Sequence, residues 1–259
     1  LPVDGQIGLR RTRRRILKMK NRDFFHLQYN KINWANQEKT HINQRINEYV
    51  IDEIVSKHSG KSIAVFDIGF GIGFFLGMLH QKLRGKFEQI TLAGCEPSRV
   101  NYQYFANNLP EEIKGISLQI FRETFENVQP SGRFDFITAI YVFPHFLAAH
   151  LPSVVQKIAL MLKEHGKFIL VVANEKYLEE KLASEKDLFI EKSKIECLGK
   201  EYEEVLHYSD IPDIGKVIDI NREERFYIDL FEANSFILAD KKEMDDNGFL
   251  CNVFVFEKK

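Results

Sequence analysis

Cysteine is scarce in this 259-residue chain. The three present, Cys95, Cys197 and Cys251, are odd in number and far apart, with no CxxC pair. Neither a disulfide framework nor a zinc knuckle is indicated, and no metal site is expected. Cys95 and Cys251 lie in apolar runs, as buried free thiols do, which leads us to expect a reducing, cytoplasmic setting. Long hydrophobic runs are missing too: no uninterrupted stretch approaches the roughly 18–20 residues of a membrane span. The first residues, from Leu1, lack the apolar segment of a secretory signal. A bias of charge is also absent. The 36 Lys and Arg nearly balance the 37 Asp and Glu, for a formal net charge of −1. The molecule as a whole therefore has no electrostatic preference for nucleic acid or membrane, and any such preference has to be local. No internal repeat or low-complexity tract is visible.

What is present is ordinary for a globular domain: 44% hydrophobic and 28% charged residues, in a chain long enough to bury a large core. Residues 1–23 are polar and basic, with Arg10, Arg11, Arg13, Arg14, Arg15, Lys18, Lys20 and Arg22 uninterrupted by acid. From Asp23 to Ser59 the pattern turns helical, most clearly where Ile42, Ile46, Val50, Ile51 and Ile54 recur at three- and four-residue steps. Apolar runs then alternate with helical stretches. The expected strands are Ser62–Ile68, Gln89–Cys95, Ser117–Phe121, Phe134–Tyr141 and Lys167–Val172. The expected helices are Phe74–Leu83, Arg99–Asn107 and Leu151–Leu162. Such runs read as parallel strands covered on both faces, hence an α/β doubly wound sheet.

Residues 174–221 break the rhythm. They read as a charged helix over Glu175–Lys192 followed by two short strands, Tyr202–Ser209 and Ile214–Ile220, forming an insertion after the fifth strand. A helix over Arg222–Asn234 and two extended segments, Phe236–Lys241 and Phe249–Phe256, close the chain. An Asn-Gly pair between the last two is a hairpin signal. The expected organisation is a basic arm and N-terminal helical cap over 1–60 and a core domain over 61–259, with 174–221 as an insertion.

The informative segment is Val65-Phe66-Asp67-Ile68-Gly69-Phe70-Gly71-Ile72-Gly73-Phe74, a buried strand, a glycine turn and an immediate helix start. Glycines let a ligand approach the main chain closely, and the helix start presents N–H groups to polar ligands. The dinucleotide fingerprint G-x-G-x-x-G is not met, because the third glycine arrives one residue early at Gly73. A phosphate-binding P-loop is excluded, since no Gly-Lys-Ser/Thr follows. Asp67, two residues before the first glycine, suits the cationic amino group of an aminoacyl ligand better than a pyrophosphate.

This segment resembles the first motif, D-x-G-x-G-x-G, of the class I S-adenosylmethionine-dependent methyltransferases, with Asp67, Gly69, Gly71 and Gly73 in its fixed positions. Later stretches, in the family's order, extend the resemblance over about Ser62 to Val172 and, more weakly, the terminal helix and hairpin. Gly94-Cys95-Glu96-Pro97-Ser98 places Glu96 where the family has an acid on the ribose hydroxyls, with Pro97 beside it. Arg122-Glu123-Thr124 places Glu123 and Thr124 where the family contacts adenine. Phe134–Tyr141 leads into Val142-Phe143-Pro144-His145-Phe146, where the family faces the methyl donor and the acceptor. Leu162-Lys163-Glu164-His165-Gly166-Lys167 resembles the L-K-P-G-G-K turn, with His165 in place of a glycine.

The resemblance implies S-adenosylmethionine as cofactor, held by Asp67, Gly69, Phe70, Gly71, Gly73, Glu96, Pro97, Glu123 and Thr124. It puts Tyr141 and His145 at the reacting end, where His145 would serve as a base if the acceptor is protonated, histidine being the side-chain type whose unperturbed pKa lies near 6.5. Acceptor choice falls to the segments outside the motifs, with Tyr29, Trp34 and Tyr208 as candidate contacts of a small organic acceptor. Two alternatives stay open. An RNA or protein acceptor would use the cations of Arg10–Arg22 as an anchoring arm, and a non-catalytic protein would keep the pocket alone.

Overall fold

The computed structural model describes Trp34 and residues 43–109, 116–211, 215–246 and 248–259. The expected arm (Arg10–Arg22) and the candidate Tyr29 lie outside the described residues.

Seven strands form one sheet in the order β3-β2-β1-β4-β5-β10-β9. They are β1 (Ser62–Ile68), β2 (Gln89–Cys95), β3 (Ser117–Phe121), β4 (Phe134–Ile140), β5 (Leu162–Ala173), β9 (Phe236–Asp246) and β10 (Phe249–Lys258). The first five run parallel, while β10 is antiparallel to both β5 and β9. The chain reverses its direction of strand addition between β1 and β4, and ligands of open α/β sheets bind at that switch point, outside the carboxyl ends.

Helices cover both faces, and the period-2 alternation of the strands divides the core between them. Val65, Ile169, Val171, Val253 and Val255 point to one side, where α1 (Gln44–Lys57) contributes Ile46, Val50, Ile51 and Ile54, and α2 (Phe74–Leu83) contributes Leu76 and Leu79. Phe66, Phe168, Leu170, Phe254 and Phe256 point to the other. There they meet Val154 and Ile158 of α4 (Leu151–Met161), and Tyr227 and Phe231 of α6 (Glu224–Glu232). The phenylalanines are used as a slab: Phe231 stacks on Phe256 at 4.2 Å and on Phe168 at 4.9 Å. Burying such rings contributes roughly 1.5–3 kcal/mol each. At the amino edge, Asp135 Oδ2 accepts from the Ala64 N–H at 2.8 Å, and both its oxygens accept from Lys163 Nζ at 2.8 and 2.9 Å. This carboxylate locks the starts of β1, β4 and β5 together, far from the switch point.

Several boundaries differ from the sequence reading. Strand β4 stops at Ile140, because Tyr141 adopts a left-handed φ of 57°. Strand β5 begins five residues earlier than expected, running through the Lys163–Gly166 turn with a register break opposite Phe134 and Phe136. His165 takes φ 58° there, the conformation for which the resembled motif keeps a glycine. The expected charged helix ends at Ser184 (α5, Glu175–Ser184), and a strand that sequence patterning does not predict follows it, β6 (Phe189–Cys197). With β7 (Lys200–Ile211) and β8 (Gly215–Arg222) it builds a separate antiparallel sheet, β6-β7-β8. Leu198 and Gly199, both at positive φ, make the two-residue turn between β6 and β7, as tight hairpins require. The terminal helix α6 is shorter than expected at both ends, and the terminal strands are longer.

Among the described residues no helix is long and apolar enough to cross a membrane. The three cysteines are unpaired and buried.

Candidate functional site

The glycine turn leaves β1 at the switch point. Gly69, Gly71 and Gly73 all have positive φ, at 71°, 57° and 83°, which an L side chain adopts only at a cost of roughly 1–2 kcal/mol. Their surroundings separate their roles. A Cβ on Gly69 would stand 2.7 Å from the Val142 side chain, and one on Gly73 only 2.1 Å from the Phe105 ring. These two are required by packing. A Cβ on Gly71 would meet nothing within 4 Å. The middle glycine faces open space and is the point where a ligand can reach the main chain.

Two buried carboxylates flank that point. Asp67, on β1 and 3% exposed, accepts a 2.7 Å hydrogen bond from Thr138 Oγ1 on the neighbouring strand β4. Glu96, just past β2 and 4% exposed, accepts from the Gly71 N–H at 2.9 Å and the Ser98 N–H at 2.7 Å. Loss of water raises both pKa values. Asp67 reaches about 7: burial dominates, the Thr138 hydroxyl opposes it, and the charge of Glu96 adds to it. Glu96 also reaches about 7: burial outweighs the hydrogen bonds from Ser98, Gly71 and Asn101. Both groups therefore change charge near neutrality, and a ligand that supplies a cation or hydroxyl donors would hold them ionised.

The sequence-derived candidates sort as follows. Asp67, Gly69, Gly71, Gly73 and Glu96 converge on the turn. The Phe70 side chain does not reach its open side; it is buried against the Phe105 ring, 4.9 Å away, so only its backbone belongs to the turn. Pro97 is half-buried beside Glu96, before Ser98 caps α3 (Arg99–Asn107). Glu123 Oε1 accepts from the Thr124 N–H at 3.0 Å and from Asn127 Nδ2 at 3.3 Å, and Thr124 is buried. The short 3-10 turn after them, Phe125–Asn127, is pinned from behind by Lys157 Nζ, which donates to the carbonyls of Phe125, Glu126 and Val128.

Tyr141, at the end of β4, has a buried hydroxyl without a conventional hydrogen-bond partner, next to the Cys251 thiol. Burial and that neighbour drive its pKa far upward. Its ring sits edge-on to Phe249 at 5.5 Å, and Phe249 in turn meets Tyr177 at 5.3 Å. A bulky residue held at φ 57° is strained, a condition that concentrates at functional sites. His145, in the 3-10 turn Phe143–His145, lies with Nδ1 3.2 Å from Asp219 Oδ1 of β8.

Of the residues proposed from sequence as acceptor contacts, Tyr29 lies outside the described residues, and Trp34 and Tyr208 sit in different surroundings. Trp34 donates its backbone N–H to Asn101 Oδ1 at 3.1 Å, on the α3 side, and Asn101 also hydrogen-bonds Glu96. Asn101 thus links the Trp34 backbone to the Glu96 carboxylate. Tyr208 is half-buried and packs against two apolar clusters, one with Leu147 and Ile220 and one with Leu178 and Leu188.

Thr138, Asn101, Lys157, Phe249 and Asp219 were not singled out from sequence. Two of them carried a signal: Thr138 and Asp219 are lone polar residues inside apolar strand runs, Ile137-Thr138-Ala139 and Ile218-Asp219-Ile220.

A glycine turn at the switch point, with an acid on β1 and another past β2, defines a doubly wound cofactor-binding domain. Comparison with known proteins names the group within that class. Residues 40–208 match the profile of a methyltransferase domain, and the chain belongs to that family. Similar solved structures include the magnesium protoporphyrin IX methyltransferase of Synechocystis PCC 6803 with bound SAM, at 12% identity and TM-score 0.57, covering 83% of this chain and 79% of that one. The glycopeptide N-methyltransferase MtfA complexed with S-adenosyl-L-homocysteine is similar at 13% identity and TM-score 0.58, over 81% and 89% of the two chains. An S-adenosylmethionine-dependent methyltransferase of Clostridium acetobutylicum ATCC 824 is similar at 12% identity and TM-score 0.56, over 87% and 96%. At these identities the likeness establishes the fold. No curated protein sequence matches the chain.

Proposed function

We propose that the protein is an S-adenosylmethionine-dependent methyltransferase acting on a small-molecule acceptor. The observation that carries this reading is the pairing of open space over Gly71 with the buried carboxylates of Asp67 and Glu96. The residues present suit the cofactor. Asp67 would take the ammonium of its aminoacyl end and Glu96 the ribose hydroxyls, with Pro97 alongside. Glu123 and the Thr124 backbone would meet adenine. The backbone of Gly69, Phe70, Gly71 and Gly73 would pack against the ligand. The structural neighbours determined with SAM or its demethylated product support the same cofactor.

When bound, the cofactor supplies an electrophilic methyl group. The protein's share is to hold donor and acceptor in line and exclude water, an effect that lowers barriers by roughly 7–11 kcal/mol. Tyr141 and His145 stand at the carboxyl end of β4 for that purpose. The small sheet β6-β7-β8 and the N-terminal segment would shape the acceptor pocket, so the acceptor-side insertion of residues 174–221 and the cap over 1–60 are kept in this proposal. The small-molecule acceptor is favoured because the charge of the chain is balanced overall, and because two of the three neighbours are named as methyltransferases of a porphyrin and a glycopeptide.

The test is calorimetric titration of the full chain with S-adenosylhomocysteine, followed by incubation with methyl-labelled cofactor and fractionated metabolites or RNA. Micromolar binding with label in a small-molecule fraction is the expected result. Absence of binding would overturn the cofactor assignment, and label confined to RNA would overturn the acceptor class.

A further inference from the structure

A second polar cluster stands at the carboxyl edge of the sheet, apart from the glycine turn, and the small sheet β6-β7-β8 provides most of it. His145 comes from the core, in the turn after β4. Asp219 lies on β8, and His207 stands directly opposite it across the β7–β8 ladder. Ser209, two residues on along β7, donates its hydroxyl to Asp219 Oδ2. The remaining oxygen, Oδ1, is 3.2 Å from His145 Nδ1, and the two side chains are only 16% and 18% exposed.

A carboxylate so enclosed is costly unless paired. Here the pairing prevails. Burial would raise the pKa of Asp219, but the hydrogen bond and charge of His145, the charge of His207 and the Ser209 hydroxyl together hold it below the usual value. His207 is itself kept low by burial, with the Lys181 and His145 charges adding and Asp219 opposing. The lasting negative charge in the cluster is therefore on Asp219, and it faces one ring nitrogen of a histidine that the β4 turn carries to the reacting end of the fold.

We propose that Asp219 is a positioning residue that fixes the His145 imidazole with its proton on Nδ1, making Nε2 the base for an acceptor whose attacking atom is a hydroxyl oxygen or an amine nitrogen. The inference rests on the methyltransferase reading. The proton leaves the acceptor oxygen or nitrogen for Nε2 as that atom forms its bond to the methyl carbon. The methyl–sulfur bond breaks with its electron pair going to sulfur, and the imidazolium, balanced by Asp219, later gives its proton to water. A carboxylate or thioether acceptor would need no such base, so the cluster narrows the acceptor class. It also gives the small sheet a part in the chemistry. A general base typically contributes 10²–10⁴-fold, and an outer carboxylate on a histidine 10–100-fold where the histidine is a metal ligand, a scale we carry over to this pair.

The test begins with nitrogen NMR of the ring-labelled full chain, saturated with S-adenosylhomocysteine at neutral pH, with His145→Gln to assign the signals. His145 should show the Nδ1–H form in the parent and a mixture of both forms in Asp219→Asn, while affinity for S-adenosylhomocysteine stays within about threefold. Ser209→Ala, a milder change should Asp219→Asn not fold, should shift the populations in the same direction. An Nε2–H form in the parent, or populations unmoved by either substitution, overturns the proposal. Failure of the parent to bind S-adenosylhomocysteine overturns the methyltransferase reading instead. A panel of simple phenol, primary amine, carboxylic acid and thiol probes with labelled S-adenosylmethionine gives the second readout. Transfer to phenol or amine that falls about 10–100-fold in kcat in Asp219→Asn with KM nearly unchanged, and recovers in part in Asp219→Glu, supports the assignment. Transfer to the carboxylic acid alone, indifferent to His145→Gln, overturns it.

Discussion

Two carboxyl groups that burial raises to about 7 should make cofactor affinity a function of pH in a range where free carboxylates do not titrate. Asp67 and Glu96 are raised to about 7 by burial, whereas the proposed ligand groups, an ammonium and two hydroxyls, need both as anions. Below pH 7 each must give up its proton before the ligand binds, at a cost of about 1.36 kcal/mol per pH unit, or a factor of ten. Between pH 8 and pH 6 either group alone weakens binding of S-adenosylhomocysteine by about tenfold, and both together by up to about a hundredfold. Stability of the free protein should move in the opposite direction. The folded-state pKa values lie above the ordinary values of 3.8 and 4.5, so the folded state holds more protons than the unfolded chain between about pH 4 and pH 7. Its stability from these groups therefore rises as pH falls through that window and is lost as pH rises towards 7. Titration calorimetry across pH 5.5–8, paired with denaturant melts of the free protein, measures both. In Glu96→Gln the pH dependence should shrink to that of Asp67, and a Kd that stays flat from pH 8 to pH 6 in the parent would refute the assignment of these two groups as ligand contacts.

The glycines should separate by mechanism. Gly71→Val should abolish S-adenosylhomocysteine binding while costing only about 1–2 kcal/mol of stability, since no atom stands in the way of its Cβ. Gly73→Val should instead lower the melting midpoint sharply through collision with Phe105, so equal stabilities in the two variants would contradict this division. Lys157→Met keeps the aliphatic stem but leaves three carbonyls to find water, and should weaken S-adenosylhomocysteine more than a fragment lacking adenine, read by calorimetry with both ligands. Deleting residues 1–22 should leave affinity and small-molecule transfer within a few-fold. If RNA is the acceptor, the deletion should instead abolish RNA binding and its salt dependence, whose log–log slope falls by about 0.7–0.9 for each phosphate that the arm no longer neutralises.

The sequence was most readable where one local rule acts alone. Strands β1 to β3 and helices α2 and α3 end where turn residues and apolar runs place them; the contiguous glycine motif pointed to Asp67, and the short stretch ending the second strand pointed to Glu96. Reading weakened where distant residues decide. In β6, Glu191 and Lys192 looked like the last charges of a helix that starts at Glu175. In fact Ile190 and Cys197 are buried, and the strand exists because β7 pairs with it, with the Lys194–Glu201 and Lys192–Glu203 ion pairs crossing between them. Tyr141 was read as the end of a strand, but its left-handed φ sets it apart from the residues before it. Trp34 was assigned to the acceptor by its aromatic character, and its place is set by a backbone bond to Asn101, 67 residues away. The His145–Asp219 pair shows the same limit most plainly. His145 was visible as a candidate because it follows a family strand, while its partner lies 74 positions further on, in a segment whose topology no local pattern reveals. A histidine's chemistry depends on which nitrogen is held. The candidate histidine was therefore legible in the sequence, while the carboxylate proposed to fix its tautomer was legible only in the fold.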